Sequence, residues 1–354
     1  MTWVFSNAEI DSILTMGDAI EALDFGYKEL AAGRGGNRSR ADIVSPVDDG
    51  VYALKSMDGV CAAAGYASVR INSDILSWKE VAGSTRRIKV PSAPGNRYVG
   101  LVYLFSTKTG EPLAIFPDGI VQRTRVAATT ALGARHLSRA DSRNVALIGS
   151  GFQAQTQAEG ICAVRPVERI RCFSPNEANR TAFAKTMSAK LGIPVEAVAS
   201  AKEATRDADI VLCSTSALDS VVDADVVRPG IHLSTIKPNE LPAAAINACD
   251  RVAVHVRNDA PTIIRTHGIQ LEEDKLNAFG PGAEVNEDAL AEIADIIAGK
   301  ELGRQSDNES TALLNYSGMG YQFTIIGGRA YELCLKAGLG TELPTEMFTE
   351  IEHP

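Results

Sequence analysis

The chain has 354 residues, more than one hydrophobic core ordinarily serves, and its 45% hydrophobic and 22% charged residues are the balance of a folded globular protein with two domains. A formal charge of −9, with no Lys/Arg-rich tract to reverse it locally, excludes a phosphate backbone, so no nucleic-acid partner is expected. No run approaches the ~20 apolar residues of a membrane span, and Met1–Ser6 lacks the basic flank and apolar stretch of a signal peptide, which predicts a cytoplasmic protein with no membrane contact.

Along the first third, turns rich in Gly, Asp and Pro separate strand-like runs around Val51–Lys55, Tyr66–Asn72, Tyr98–Ser106 and Leu113–Phe116. Lys108-Thr109-Gly110-Glu111 between two of them has the composition of a hairpin turn, so this part is expected to be a mixed α+β domain. Residues 74–96 follow neither the helical nor the strand period. They carry Trp78, Arg86, Arg87 and Lys89 among the breakers Gly83, Pro91, Pro94 and Gly95, and admit two readings, a surface loop and a lid over a site. A helix is expected from about Val121 to Leu137, with Val126, Thr130, Leu132, Ala134 and Leu137 inward.

From Val145 onward short apolar runs alternate with amphipathic stretches, the pattern of βαβ units on a parallel sheet. Strands are expected at Val145–Ile148, Ile170–Phe173, Ile210–Ser214, His232–Ile236 and Arg251–His255. A helix is expected over Glu177–Leu191, where Ala178, Ala182, Phe183, Met187 and Leu191 recur at near-helical spacing. The predicted class is α/β: a Rossmann doubly wound parallel sheet plus a mixed α+β domain. The cysteines (Cys61, Cys162, Cys172, Cys213, Cys249, Cys334) are scattered without a CxxC pair and the histidines lack ligand spacing, so free thiols and no metal are expected.

The first βα turn carries the chemistry. Gly149-Ser150-Gly151-Phe152-Gln153-Ala154 follows the strand Val145–Ile148 and opens a helix. Gly149 permits the tight turn, Gly151 lets the backbone approach a pyrophosphate, and Ala154 allows close helix–strand packing. Free N–H groups at the helix start then hold the phosphates. An ordinary strand–helix turn would also contain glycine, but four further strands at suitable spacing favour the dinucleotide site. The second strand runs into Ser174-Pro175-Asn176, with no carboxylate to accept from a ribose 2′-OH, and Arg180 lies one turn on. NADP(H) is therefore favoured over NAD(H), the alternative for Arg180 being a solvated helix residue.

Thr109–Ala114, Arg125-Val126-Ala127-Ala128-Thr129, Val145–Ala154, Gly303-Arg304-Gln305-Ser306-Asp307 and Ser317-Gly318-Met319-Gly320, in this order, resemble the ornithine cyclodeaminase/mu-crystallin family, over nearly the whole chain. That family holds cyclodeaminases, amino-acid dehydrogenases, ketimine reductases and a ligand binder. The resemblance implies a homodimer in which residues 1–120 and 320–354 form the substrate and dimerisation domain and residues 121–319 the dinucleotide domain. It implies that Arg125 and Val126 lie where substrate carboxylate and cofactor meet, a task that suits a planar guanidinium; a buried structural ion pair is the alternative for Arg125. Arg40 and Lys55 match the family's other basic pocket residues or are solvated charge. Ser214, Thr215, Ile236, Gly318 and Met319 would line the nicotinamide side, or be strand-end packing.

Two departures stand out. Arg70 occupies the place of the family's lysine, and an arginine stays protonated and is a poor base. The family's catalytic aspartate is absent from Lys237-Pro238-Asn239-Glu240. Both favour hydride delivery to an imine or keto carbon beside a carboxylate, with Arg70 and Arg125 holding anionic groups, over a cyclodeaminase lyase. A catalytically silent NADP-dependent binder is the third reading. Candidates for a proton donor are Lys55, Asp74, Lys237 and Glu240. Lys237 comes first because its loop is expected to face the nicotinamide, although a solvated loop lysine is an equal reading.

Overall fold

The structure, a computed structural model, describes residues 1–48, 50–81, 84–217, 219–257, 259–268 and 285–352, with the backbone alone at 79–81 and 84–87. The first sheet is built from β1 (Thr2–Val4), β2 (Gly35–Val47), β3 (Gly50–Cys61), β4 (Tyr66–Val81), β5 (Ser84–Val90), β6 (Val99–Ser106) and β7 (Pro112–Pro117). Between β1 and β2 lie helices α1 (Asn7–Ile13) and α2 (Met16–Ala31). Each opens on a reciprocal capping box, Ser6 with Glu9 and Thr15 with Asp18, which satisfies the otherwise orphaned N-terminal N–H groups.

The long helix α3 (Gly119–Leu137) leads into the second sheet. There follow β8 (Asn144–Ile148), α4 (Phe152–Val164), β9 (Arg169–Phe173), α5 (Glu177–Leu191), β10 (Val195–Ala197), α6 (Ala201–Thr205), β11 (Ile210–Cys213), β12 (His232–Thr235), α7 (Ala243–Ala248) and β13 (Arg251–Val254). Then come β14 (Thr262–Arg265), β15 (Ala291–Glu292), α8 (Ile293–Ile297), β16 (Thr311–Leu314), α9 (Gly320–Lys336) and β17 (Thr341–Leu343). The second sheet has eight strands in the order β10-β9-β8-β11-β12-β16-β13-β15, every pair parallel. Strand order reverses between β8 and β11, and in such a sheet the crevice outside the strand ends at that point is the ligand site. Among the described residues no helix is long and apolar enough to cross a membrane.

The first sheet is mixed, ordered β14-β2-β3-β4-β6-β7-β1-β17 with β5 hung on β4. Thr262–Arg265 pairs with Ala41–Val44, so this sheet also draws a strand from inside the 121–319 stretch. The loop reading of residues 74–96 is corrected. β4 runs on to Val81 and turns back as β5, with Ile75 opposite Val90 and Trp78 opposite Arg87, while the rest of 74–96 holds the Ala93–Arg97 bridge. Residues 82–83 lie outside the described residues. Strand β2, rich in Asn, Arg, Ser and Asp, escaped the hydrophobic pattern altogether.

Alternation on this sheet is inverted, and that positions the site. On β3 the inward residues are Val51, Ala53, Lys55, Met57, Gly59 and Cys61; on β4 they include Ser68, Arg70, Asn72 and Asp74. Charged side chains therefore share the buried face, as the two-residue period dictates. Apolar Ile43, Leu54, Val60, Ile75, Val99 and Ile264 point outward and are exposed. Helix α9 packs on the buried face. Its Thr324 hydroxyl meets that of Ser68 at 2.8 Å, and Tyr321 donates to the Gly26 carbonyl at 2.7 Å.

Candidate active site

At the switch point the backbone matches the expectation for a phosphate turn. Gly149 has φ 126°, and a Cβ there would stand 2.1 Å from the Ser214 carbonyl oxygen, so only glycine fits between β8 and β11. A Cβ on Gly151 would meet nothing within 4 Å, and Gly151 caps α4 without a side-chain hydrogen bond. A helix of 13 residues starts here with no side-chain cap on its first turn, an arrangement that fits a pyrophosphate. Ala154 is fully buried against β8, and the Gln153 Oε1 and Ser214 Oγ atoms are buried without a partner. Phe152 turns outward, its ring 4.5 Å from the Arg123 guanidinium carbon. These residues fit a dinucleotide.

Beyond β9, Ser174 Oγ meets Ser150 Oγ at 2.8 Å and Asn176 caps α5 by accepting from the Asn179 N–H at 2.9 Å. Arg180 folds back and donates to the carbonyls of Ser174 at 3.1 Å and Pro175 at 3.3 Å. It is tied to the turn rather than solvated.

The loops after β11 and β12 are organised by Glu240, which is fully buried. Its Oε1 accepts from the Thr215 N–H at 2.6 Å and hydroxyl at 2.8 Å; its Oε2 accepts from the Thr235 hydroxyl at 2.7 Å and from the N–H groups of Ile236 and Lys237, both at 3.0 Å. A carboxylate so enclosed is a structural acceptor, which corrects its reading as a proton donor. Lys237 is half-buried and its Nζ donates to the Ala217 carbonyl at 2.6 Å, a brace between the same two loops.

The charged inward face converges on α3. Arg70 donates Nε and Nη2 to Asp118 Oδ2 at 2.8 and 2.5 Å, and Asn72 Nδ2 reaches the same oxygen at 3.3 Å. Lys55 donates to Asp74 Oδ2 at 2.7 Å, and Lys89 also lies on Asp74, at 2.9 Å. Burial pushes the Lys55 ammonium down to about 8, with Arg40 and Lys89 adding to the shift and Asp74 opposing it. Arg40 is fork-bonded to Asp42 and largely buried, so neither basic residue is solvated surface charge.

Arg125 differs from all of these. It is buried and none of its hydrogen bonds goes to a carboxylate: Nη1 donates to Gln322 Oε1 at 2.7 Å, and Nε has no partner. Gln322 is locked in that orientation because its Nε2 donates to Tyr27 at 2.7 Å and Thr129 at 2.9 Å, while Thr129 donates to the Arg125 carbonyl at 2.9 Å. Phe323 is sandwiched electrostatically, with the guanidinium carbons of Arg70 and Arg125 each 5.3 Å from its ring centroid. Burial, and then the Arg70 charge, push Arg125 down to about 9, so it stays a cation at neutral pH. The structural ion pair is therefore not what Arg125 makes. Next to it, Val126 gives its carbonyl to Asn315 Nδ2 at 3.0 Å, and Met319 is fully buried beyond Gly318, whose added Cβ would lie 3.8 Å from Arg125 Nη2.

Residues 7–326 match the model of the ornithine cyclodeaminase/mu-crystallin family. The chain belongs to that family. A Δ1-pyrroline-2-carboxylate reductase of Bacillus cereus is 30% identical over 249 residues, 69% of this chain and 74% of that protein. A second B. cereus protein of the same name is 27% identical over 345 residues, 96% of this chain and 99% of its own length. Among solved structures, Δ1-pyrroline-2-carboxylate reductase of Thermococcus litoralis, in complex with NADH and L-proline, has a TM-score of 0.79 at 25% identity and covers 96% of this chain and 100% of its own. Asp118, which the sequence pattern did not mark because it reads as a turn residue, stands beside Arg70, and Gln322 and Phe323 stand beside Arg125.

Proposed function

We propose that this family member reduces an imine or ketimine beside a carboxylate with NAD(P)H, and in reverse oxidises an amino acid. The observation that carries the proposal is Arg125, a buried cation without a carboxylate partner beside the dinucleotide cradle, with an unpaired N–H left over. A small carboxylate-bearing substrate is what that guanidinium lacks. The bound dinucleotide would supply the hydride. Gly149, Gly151, Phe152, Gln153 and Ala154 would hold its pyrophosphate, with Ser214, Thr215, Ile236, Gly318 and Met319 toward the nicotinamide end. Ser174, Asn176 and Arg180 offer no carboxylate to a 2′-phosphate, which supports NADP(H) over NAD(H).

Lys55 takes the proton-donor role here in place of Lys237, since an ammonium with a pKa of about 8 can give and regain a proton near neutrality. Arg70 with Asp118 and Arg40 with Asp42 would form the polar wall that orients the substrate. The lyase reading loses its base, because the 237–240 loop has no aspartate and Glu240 is fully engaged. The outward apolar face of the first sheet supports a homodimer that covers it. The test is NADPH and NADH consumption against cyclic imines and against 2-oxo acids with amines, alongside an ammonia assay. Stoichiometric loss of NADPH with an imine is the expected result; ammonia release from ornithine without net cofactor loss would replace the reductase by the lyase.

A further inference from the structure

One buried titratable group has no part in the reaction as described. His255 follows β13 and is fully buried. Ala253 faces the α3 side of the second sheet and Val254 the opposite side, so alternation turns His255 toward α3 and Arg125. Its backbone N–H still donates to the Leu314 carbonyl at 3.1 Å, which keeps it in the ladder. Its ring Nδ1 lies 3.3 Å from the same carbonyl oxygen. A carbonyl only accepts, so Nδ1 carries the ring proton. Burial first, and the Arg125 charge second, push the imidazole down to about 4 against the pull of the Leu314 and Ser317 carbonyls, so the ring is neutral at physiological pH.

Nε2 is then a lone pair, and it is buried with no partner. Arg125 Nε is a buried N–H with no acceptor. The two belong to one neighbourhood: the Tyr316 ring meets His255 edge-on at 6.3 Å, and two residues further on the Cβ position of Gly318 is 3.8 Å from Arg125 Nη2. An unsatisfied acceptor and an unsatisfied donor in the same buried corner call for a ligand with an anionic group at one end and an N–H close by. An α-amino acid and its protonated 2-imino counterpart both answer that description.

We propose that His255 Nε2 accepts a hydrogen bond from the substrate nitrogen while Arg125 holds the carboxylate, so that His255 selects nitrogen over oxygen on the carbon beside the carboxylate. The assignment rests on the reductase reading. It makes no proton transfer at His255, only recognition of the N–H. The substrate nitrogen then has a fixed direction relative to the carboxylate, which sets the face of the C=N bond turned toward the cradle.

The test compares L-proline with tetrahydrofuran-2-carboxylate, in which a ring oxygen replaces the N–H, as ligands of the NADPH-loaded protein by calorimetry. Wild-type protein is expected to bind L-proline at least roughly 10-fold more tightly, the scale of one hydrogen bond to a charged group. His255→Asn, whose amide keeps a donor toward Leu314, is expected to erase that gap while the affinities for NADPH and for the oxygen analogue stay unchanged. A wild-type protein without the gap, or a variant that keeps it, overturns the assignment. If the variant does not fold, 15N-histidine spectra of the wild type decide: the Nε2 resonance of His255 must move with L-proline and not with the oxygen analogue. Turnover of Δ1-pyrroline-2-carboxylate by the wild type, measured first, separates failure of the reductase reading from failure of the His255 assignment.

Discussion

Arg125→Met should divide activity from stability. The side chain donates to Gln322 at 2.7 Å and leaves Nε unpaired, and its charge sits near that of Arg70. Losing a paired guanidinium–carboxylate contact to substrate removes about 3–4 kcal/mol, taking two charge-assisted hydrogen bonds at roughly 1.5–2 each, which is a fall of roughly 10²–10³ in kcat/KM. Stability runs the other way. Methionine removes an uncompensated buried cation, and although Gln322 Oε1 loses its donor at a cost of about 1–3 kcal/mol, the relief of burying charge offsets it. Steady-state kinetics with a 2-imino acid and urea denaturation check both halves. A loss of about 3–5 kcal/mol in unfolding free energy with KM unchanged would refute the reasoning, because that is what breaking a structural ion pair does.

Four further outcomes follow from the geometry. The reductive kcat should fall as pH rises through about 8, where Lys55 gives up its proton, and Asp74→Asn, which removes the group that raises that pKa, should move the limb to lower pH; an unmoved limb in the variant would take Lys55 off the reaction. The same depressed pKa means that the unfolded chain holds the Lys55 proton above pH 8 when the native one does not, so this residue's contribution to stability rises from about pH 8 toward 10.5 and is lost on the acid side. Asn176→Asp keeps the α5 cap but adds a negative charge beside the adenosine ribose, and should weaken NADPH binding by roughly tenfold while leaving NADH little changed, as titration calorimetry would read. Glu240→Gln puts a donor against the N–H groups of Thr215 or of Ile236 and Lys237, and should cost about 2–4 kcal/mol in unfolding free energy; a change below about 0.5 would mean that the two loops hold without it.

The second sheet was largely legible because its strands are buried on both faces and read as short apolar runs. Helix Glu177–Leu191 falls on its expected bounds, and the strand starting at Val145 begins one residue earlier, at Asn144. In the first sheet the runs expected around Val51–Lys55, Tyr66–Asn72, Tyr98–Ser106 and Leu113–Phe116 fall on β3, β4, β6 and β7, while β2 and the hairpin of β4 with β5 were missed, because polar residues such as Asp42 and Asp74 on the buried face break the hydrophobic period that marks a strand. The glycine turn could be named from local pattern and Arg125 from the family resemblance. Their supporting partners could not, since Asp118 meets Arg70 across 48 residues and Gln322 meets Arg125 across 197, and no local spacing encodes such pairs. Lys237 was named because its loop lies at the right strand end, and its side chain donates to the Ala217 carbonyl across to the neighbouring loop.

The most direct measurement follows the fate of the hydride. Wild-type protein would be given NADPH deuterated at the nicotinamide C4 and Δ1-pyrroline-2-carboxylate, and the amino-acid product weighed by mass spectrometry against cofactor consumed. One deuterium on the carbon that bears the carboxylate is expected for each NADPH oxidised, with no ammonia. Cofactor left intact, or product formed without deuterium, would contradict hydride transfer to the imine.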